Sequence, residues 1–185
     1  MIGVCGTPGT GKKTVSPIVA KLLGLPAPVS INSLAPKGEP EVDTALLRRR
    51  LLALDPPRTV VFGHLLPHVL KKPEVGLVAV LRCEPSVLRE RLVRRGYPRA
   101  KVTANVEAEL IGVLLDECVR RFGRGLVRDY DTTLASPKAV ASEIARDAET
   151  PAKATPAWID WTLGYDSSTK LRSLLAGESE PPAST

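Results

Sequence analysis

The sequence predicts an α/β fold built on a parallel sheet, and three observations carry that prediction. Short, uninterrupted apolar runs recur along the chain, as expected of strands covered on both faces. They alternate with stretches whose apolar residues fall at helical spacing, the pattern of βαβ units. The first apolar run also passes through a glycine-rich turn directly into a helix.

Ile2-Gly3-Val4-Cys5 is the first expected strand. The loop from Gly6 to Thr14 follows, and then Val15, Ile18, Val19, Leu22 and Leu23 recur at helical spacing until Gly24 stops the helix. Pro17 falls in the first turns of that helix, where proline costs less than deeper inside. A second short strand is expected near Val29–Ile31, then a loop over 35–41 and a helix over Glu41–Leu54 carrying Arg48, Arg49 and Arg50. The turn Asp55-Pro56-Pro57 leads into a β-branched strand, Thr59–Phe62, and Leu77–Leu81 is the clearest buried strand. A helix over Ser86–Arg95 begins after Pro85 and ends at Gly96. Residues 101–122 read as one amphipathic helix with Leu110, Val113, Leu114 and Val119 on its apolar face. Leu126–Tyr130 reads as the last strand and Pro137–Ala148 as the last packed helix. From about residue 149 the composition shifts to Pro, Ala, Thr and Ser, so 149–185 is expected to be a tail with a short helical segment at Lys170–Leu175. Trp158 and Trp161 fall in that tail, where docking it to the domain explains them better than a partner motif does.

Composition narrows the function classes. The 26 Lys+Arg against 20 Asp+Glu leave a net charge of +6, which suits an anionic partner such as a nucleotide, a phosphate or RNA, or simply a solvated basic surface. Aromatic residues make up only 4% of the chain, which argues against an RNA surface of stacked rings. Cys5, Cys83 and Cys118 share no metal-ligand spacing, so they read as buried free thiols in a reducing compartment rather than a zinc site. No signal-peptide pattern opens the sequence, and the apolar runs fall far short of a membrane span. A cytoplasmic protein with no membrane partner is the expectation.

Residues Gly6 to Lys12 fit G-x-x-x-x-G-K, the phosphate-binding loop. Gly6, Gly9 and Gly11 let the backbone wrap so that successive N–H groups face phosphate oxygens. The helix that follows adds its N-terminal dipole, and Lys12 adds an ammonium for the outer phosphates. The glycines fall as G-x-x-G-x-G, not the dinucleotide spacing G-x-G-x-x-G. Strand before and helix after make nucleotide binding the prediction. One position departs from the pattern: Lys13 stands where a Ser or Thr hydroxyl would ligate Mg²⁺. Thr14 does not simply replace it, because one helical step rotates a side chain by about 100°.

The chain resembles the adenylate kinase isoenzyme 6 family, small archaeal and eukaryotic nucleoside monophosphate kinases also linked to small-subunit ribosome assembly. Three blocks carry the resemblance: the loop Gly6–Lys12, the segment Val60-Val61-Phe62-Gly63-His64, and the run Val80–Tyr97 continued by Lys101, Asn105, Glu107 and Glu109. It implies a P-loop nucleoside monophosphate kinase-like three-layer fold over 1–148, with a short monophosphate-binding insert at about 29–50 and a small lid at 94–104. It further implies that Gly9, Gly11, Lys12, Lys13, Thr14 and Arg95 hold ATP, and that Lys12, His64 and Arg95 are the catalytic set. Six basic residues lie between Arg89 and Lys101 against the single acid Glu90, the charge expected of a lid over phosphates, or of a basic solvated helix face. The implied reaction is phosphoryl transfer from ATP to AMP, with ATPase activity and a role in rRNA maturation beside a ribosomal protein or small-subunit rRNA. Magnesium is expected with the nucleotide, yet no metal ligand is assigned. Phe62 stands where the family ends its third strand in an acid, and the insert lacks an acidic, tyrosine-bearing stretch between Lys37 and Asp43. Two readings therefore remain: an adenylate kinase, or a catalytically weak ATP-binding assembly factor. A general basic RNA-binding module is disfavoured by the clustering of charge at the expected lid.

Overall fold

Period-two alternation in the central strands sends side chains into two separate cores, and this organises the computed structural model, which describes residues 1–36, 43–54, 58–150 and 158–176. Strands β1 (Ile2–Gly6), β2 (Val29–Ser30), β3 (Val60–Phe62), β4 (Leu77–Arg82) and β5 (Val127–Asp131) form one sheet in the order β2-β3-β1-β4-β5. Every pairing in it is parallel. From β4, Leu77, Ala79 and Leu81 join Val4, Val60 and Tyr130 against helix α1 (Lys12–Leu22), through Val15 and Val19, and against Val140 and Ile144. Val78 and Val80 face the other way, with Cys5, Val61 and Val127. That second core is closed by α2 (Thr44–Ala53), the short α3 (Leu66–Val69) and residues of a later helix, Leu115, Cys118 and Phe122.

After β4 the chain forms α4 (Pro85–Arg94), α5 (Arg99–Leu110) and α6 (Val113–Phe122), and after β5 it forms α7 (Pro137–Glu149). The single helix expected over 101–122 is thus two. Gly112 breaks it with φ +68°, a left-handed conformation that glycine adopts without the Cβ penalty other residues carry. The break turns α6 onto the sheet while α5 stays beside α4. Ile31 leaves the expected second strand for a 3₁₀ turn, and α3 forms in a segment where the sequence pattern predicts no element. The third core packs Leu88 and Leu92 of α4 with Val102, Val106 and Leu110 of α5 and Leu174 of α8 (Ser168–Ala176). The predicted helical segment of the tail is α8, and both tryptophans dock. Trp158 lies 5.1 Å from the Arg124 guanidinium and packs on the second core, while Trp161 packs on the third. All three cysteines are buried and free. The expectations for 37–42, the turn at 55–57, the linker at 151–157 and the ending at 177–185 lie outside the described residues.

Candidate active site

Parallel strands deliver their following loops to one edge of the sheet, and the candidate site is built there. β1 ends at Gly6, the loop runs to Gly11, and α1 starts at Lys12. Gly9 has φ +102°, and a Cβ there would lie 2.5 Å from Leu88 Cδ1, so only glycine lets the loop lie against α4. Gly11 caps α1 in a left-handed conformation and offers no side chain to its first turn. The amides of Lys12 and Lys13 therefore meet no capping side chain, while that of Thr14 donates to the Gly11 carbonyl at 2.9 Å.

Lys12 Nζ donates to the carbonyls of Gly6, at 2.6 Å, and Thr7, at 3.0 Å. Burial, opposed by Cys5 and Glu109 and assisted by Arg95 and Lys13, pulls its pKa from 10.5 down to about 8. Across the loop, Arg91, Arg94 and Arg95 line a cavity of about 390 Å³ together with Gly9, Gly11 and Thr14. The rest of its lining is Thr10, Thr132 and the apolar residues Val15, Ala135, Pro137 and Val140. Arg91 is held in place by donating to the carbonyls of Thr132, at 2.8 Å, and Thr133, at 2.9 Å. The cavity thus combines arginines and the glycine loop with apolar side chains in one lining.

Of the residues singled out by sequence, Gly9, Gly11, Thr14 and Arg95 meet at the cavity, and Lys12 lies at the base of the loop. Lys13 is exposed and does not line that cavity. His64 follows β3 and is partly buried; burial, then Lys12, Lys101 and His68, hold its pKa below the ordinary 6.5, so the ring is neutral at pH 7. Its backbone carbonyl faces Cys5 Sγ at 3.9 Å. Phe62 is partly buried against the first core and offers no oxygen at the end of β3. Arg48 and Arg50, two of the basic residues in the insert, are committed elsewhere. Arg48 pairs with Glu74 through both carboxylate oxygens, and Arg50 donates to the Leu34 carbonyl at 2.7 Å. Among the described residues no group of three or more His, Cys, Asp or Glu is placed to hold a metal ion.

Sequence reading missed a buried network behind the loop. Glu109 on α5 is 2% exposed, and it accepts from Arg82 Nε at 2.7 Å and from Thr7 Oγ1 at 2.6 Å. The signal for it was an acid on an otherwise apolar helical stripe, Val102, Val106, Glu109 and Leu110.

Residues 2–112 match the sequence family described as "AAA domain". Named "Putative adenylate kinase", a protein of Thermococcus onnurineus is 36% identical over 174 residues, covering 90% of this chain and 93% of its own. A protein of the same name from Natronomonas pharaonis is 39% identical over 152 residues, covering 77% and 86%. Among solved structures, a gluconokinase from Sinorhizobium meliloti superposes with TM-score 0.58 at 19% identity, covering 90% of this chain and 96% of its own. A shikimate kinase from Bacteroides thetaiotaomicron gives 0.52 at 16% identity, covering 80% and 95%. The architecture is that of a P-loop kinase. Among the described residues no helix is long and apolar enough to cross a membrane.

Proposed function

The chain belongs to the AAA-domain family of P-loop proteins and to the archaeal adenylate kinase group of nucleotide kinases, and from that premise we propose that it transfers the terminal phosphate of ATP to AMP, as the resemblance to the isoenzyme 6 family implies. The observation that carries this reading is the cationic wall of Arg91, Arg94 and Arg95 facing the glycine loop across one cavity. ATP lies there with its phosphates against the loop and its base toward Val15, Pro137 and Val140. The amides around Gly9 and Gly11 position the phosphates, so the transfer begins from an ordered geometry. Lys12 and Arg95 stabilise the charge that builds on the transferring group. An arginine suits the second role, because its planar fork grips phosphate oxygens in two places. Neutral His64 lies beside the Lys12 field and takes or gives a proton in the ATPase side reaction.

Magnesium supplies charge neutralisation in reactions of this class. The residues at its usual protein positions here do not fit it: Lys13 presents an exposed ammonium, and Phe62 packs a ring into the core. A hard cation takes oxygen ligands, and neither side chain has one. No step of the proposal passes through a protein-held ion.

Lys13 and Phe62 favour a second reading, a weakly catalytic ATP-binding factor in small-subunit ribosome assembly, acting on a ribosomal protein or rRNA. A coupled assay of ADP formation, with and without AMP and Mg²⁺, beside a titration with ATP, separates the two. AMP-dependent turnover lost in Lys12→Ala supports the kinase. Tight ATP binding with no turnover at any Mg²⁺ concentration supports the assembly factor and removes the kinase.

A further inference from the structure

Glu109 has no role in the proposed chemistry, yet it is 2% exposed in the middle of an apolar helix face. Taking a carboxylate out of water is costly unless charge and hydrogen bonds offset it, so its full set of partners is informative. Oε1 accepts from Arg82 Nε at 2.7 Å and from the Cys83 amide at 3.0 Å. Arg82 is fixed in turn by the Glu109 carbonyl, at 2.8 Å, and by the carbonyl of Ile159 in the C-terminal segment, at 3.1 Å. Those contacts hold the carboxylate through one oxygen. Its other oxygen, Oε2, accepts from the Thr7 hydroxyl at 2.6 Å, inside the glycine-rich loop.

We infer that Glu109 is a positioning residue for the phosphate loop, acting through Thr7. The carbonyl of Thr7 receives Lys12 Nζ at 3.0 Å, Thr10 Oγ1 at 2.9 Å and the Thr10 amide at 3.2 Å. Where that carbonyl sits decides where the ammonium rests and how the turn closes. Glycine lets this loop bend but cannot hold it, because a residue without a side chain has nothing to anchor. The anchor is supplied from the side, by a charge-assisted bond to a carboxylate that Arg82 keeps rigid. A structural Arg–Glu pair alone would have no need of a loop hydroxyl.

The inference rests on the reading that the loop binds ATP, and the test separates the two. Calorimetric titration of the full chain with ATP is run on wild type, Thr7→Val and Thr7→Ser, each checked for folding by thermal unfolding. Thr7→Val keeps the shape and deletes the donor; it is expected to weaken ATP binding by about 10-fold, the scale of a small loop misplacement and a lost charged hydrogen bond. Thr7→Ser restores the hydroxyl and is expected to bind within about 2-fold of wild type. In a Glu109→Gln background, adding Thr7→Val is expected to cost less than it does in wild type, because both changes act on one contact. If Glu109→Gln does not fold, the valine and serine variants decide alone. Wild-type affinity in Thr7→Val, or equal losses in Thr7→Val and Thr7→Ser, overturns the inference while leaving ATP binding intact. A wild-type chain that does not bind ATP overturns the nucleotide reading and this inference with it.

Discussion

ATP binding is expected to draw a proton into the site, and the size of that uptake follows from Lys12. Burial holds its pKa at about 8 without a ligand. A phosphate beside it favours the charged form and returns the pKa toward 10.5. The free protein therefore lacks about a tenth of the Lys12 proton at pH 7, about half at pH 8 and about nine-tenths at pH 9, and binding restores it. Between pH 8 and pH 9 the ATP affinity falls by about fivefold, and near pH 9 the slope approaches about tenfold per pH unit, or about 1.4 kcal/mol. Calorimetry at each pH in two buffers of different ionisation enthalpy reads the uptake directly. Two groups near the site fall below this window, and one thiol is drawn toward it. The phosphate ionises near pH 6, and His64 titrates below 6.5. The thiol of Cys5 is drawn down by its hydrogen bond to Cys118, so Cys5→Ala serves as the control in which uptake persists. Lys12→Met abolishes it. Uptake below about 0.2 protons at both pH 8 and pH 9, or uptake that survives Lys12→Met, would refute the assignment. The sign for stability is fixed by the same shift. Without nucleotide the unfolded chain binds more protons at Lys12 between about pH 8 and 10.5, so this residue makes the fold more stable as pH rises through that window. Comparing Lys12→Met with wild type across it isolates a gain of at most about 3 kcal/mol.

Three further outcomes are expected. Arg95→Ala lowers turnover in the coupled assay by about 10²-fold or more, with a smaller loss of ATP affinity, since its charge matters most as the phosphoryl group transfers. Gly9→Ala forces a Cβ to 2.5 Å from Leu88 Cδ1 at φ +102°, so thermal unfolding should register a loss of about 2–3 kcal/mol and ATP binding should weaken with it. Leu174→Ala, at a position 5% exposed in the third core, costs about 2–4 kcal/mol in denaturant unfolding because it undoes the packing of α8; no change there would mean the tail is not docked.

The sheet was legible because its strands are continuous apolar runs, and the loop because glycines and a lysine at fixed spacing have few other uses. The break at Gly112 was not legible from periodicity. Leu110, Val113 and Leu114 keep a helical rhythm across it, and one glycine inside such a pattern reads as tolerated until its left-handed φ is seen. The cluster at the cavity was half legible. Arg95 lay within the basic run, but Arg91 gained its place from the carbonyls of Thr132 and Thr133, some 41 residues away along the chain. Arg48 shows the converse. Its sequence context suggested phosphate, and the partner that claims it, Glu74, comes from a segment with no motif at all. Charge can be counted along a chain, but its pairing is decided by topology.

The loop's supports come from the same elements that carry the arginines opposite it. Gly9 packs on Leu88 and Leu92 of α4, and Thr7 is bonded to Glu109 of α5. Arg95 sits in the turn between those two helices. Swinging α4 and α5 as a body would drag the loop along and gain nothing in the distance between Arg95 and a phosphate. The C-terminal segment resists such a swing as well. Leu171, Leu174 and Leu175 pack against the α4–α5 core, and the carbonyls of Leu175 and Ala176 accept from Arg89 and Arg99. In the proposed kinase, closure on a nucleotide would then fall to the short turn after Arg94, where Gly96 has φ +73° and Pro98 precedes α5. The motion expected there is that of one turn and its side chains, while the helices, strapped by the C-terminal segment and tied to the loop, hold their register.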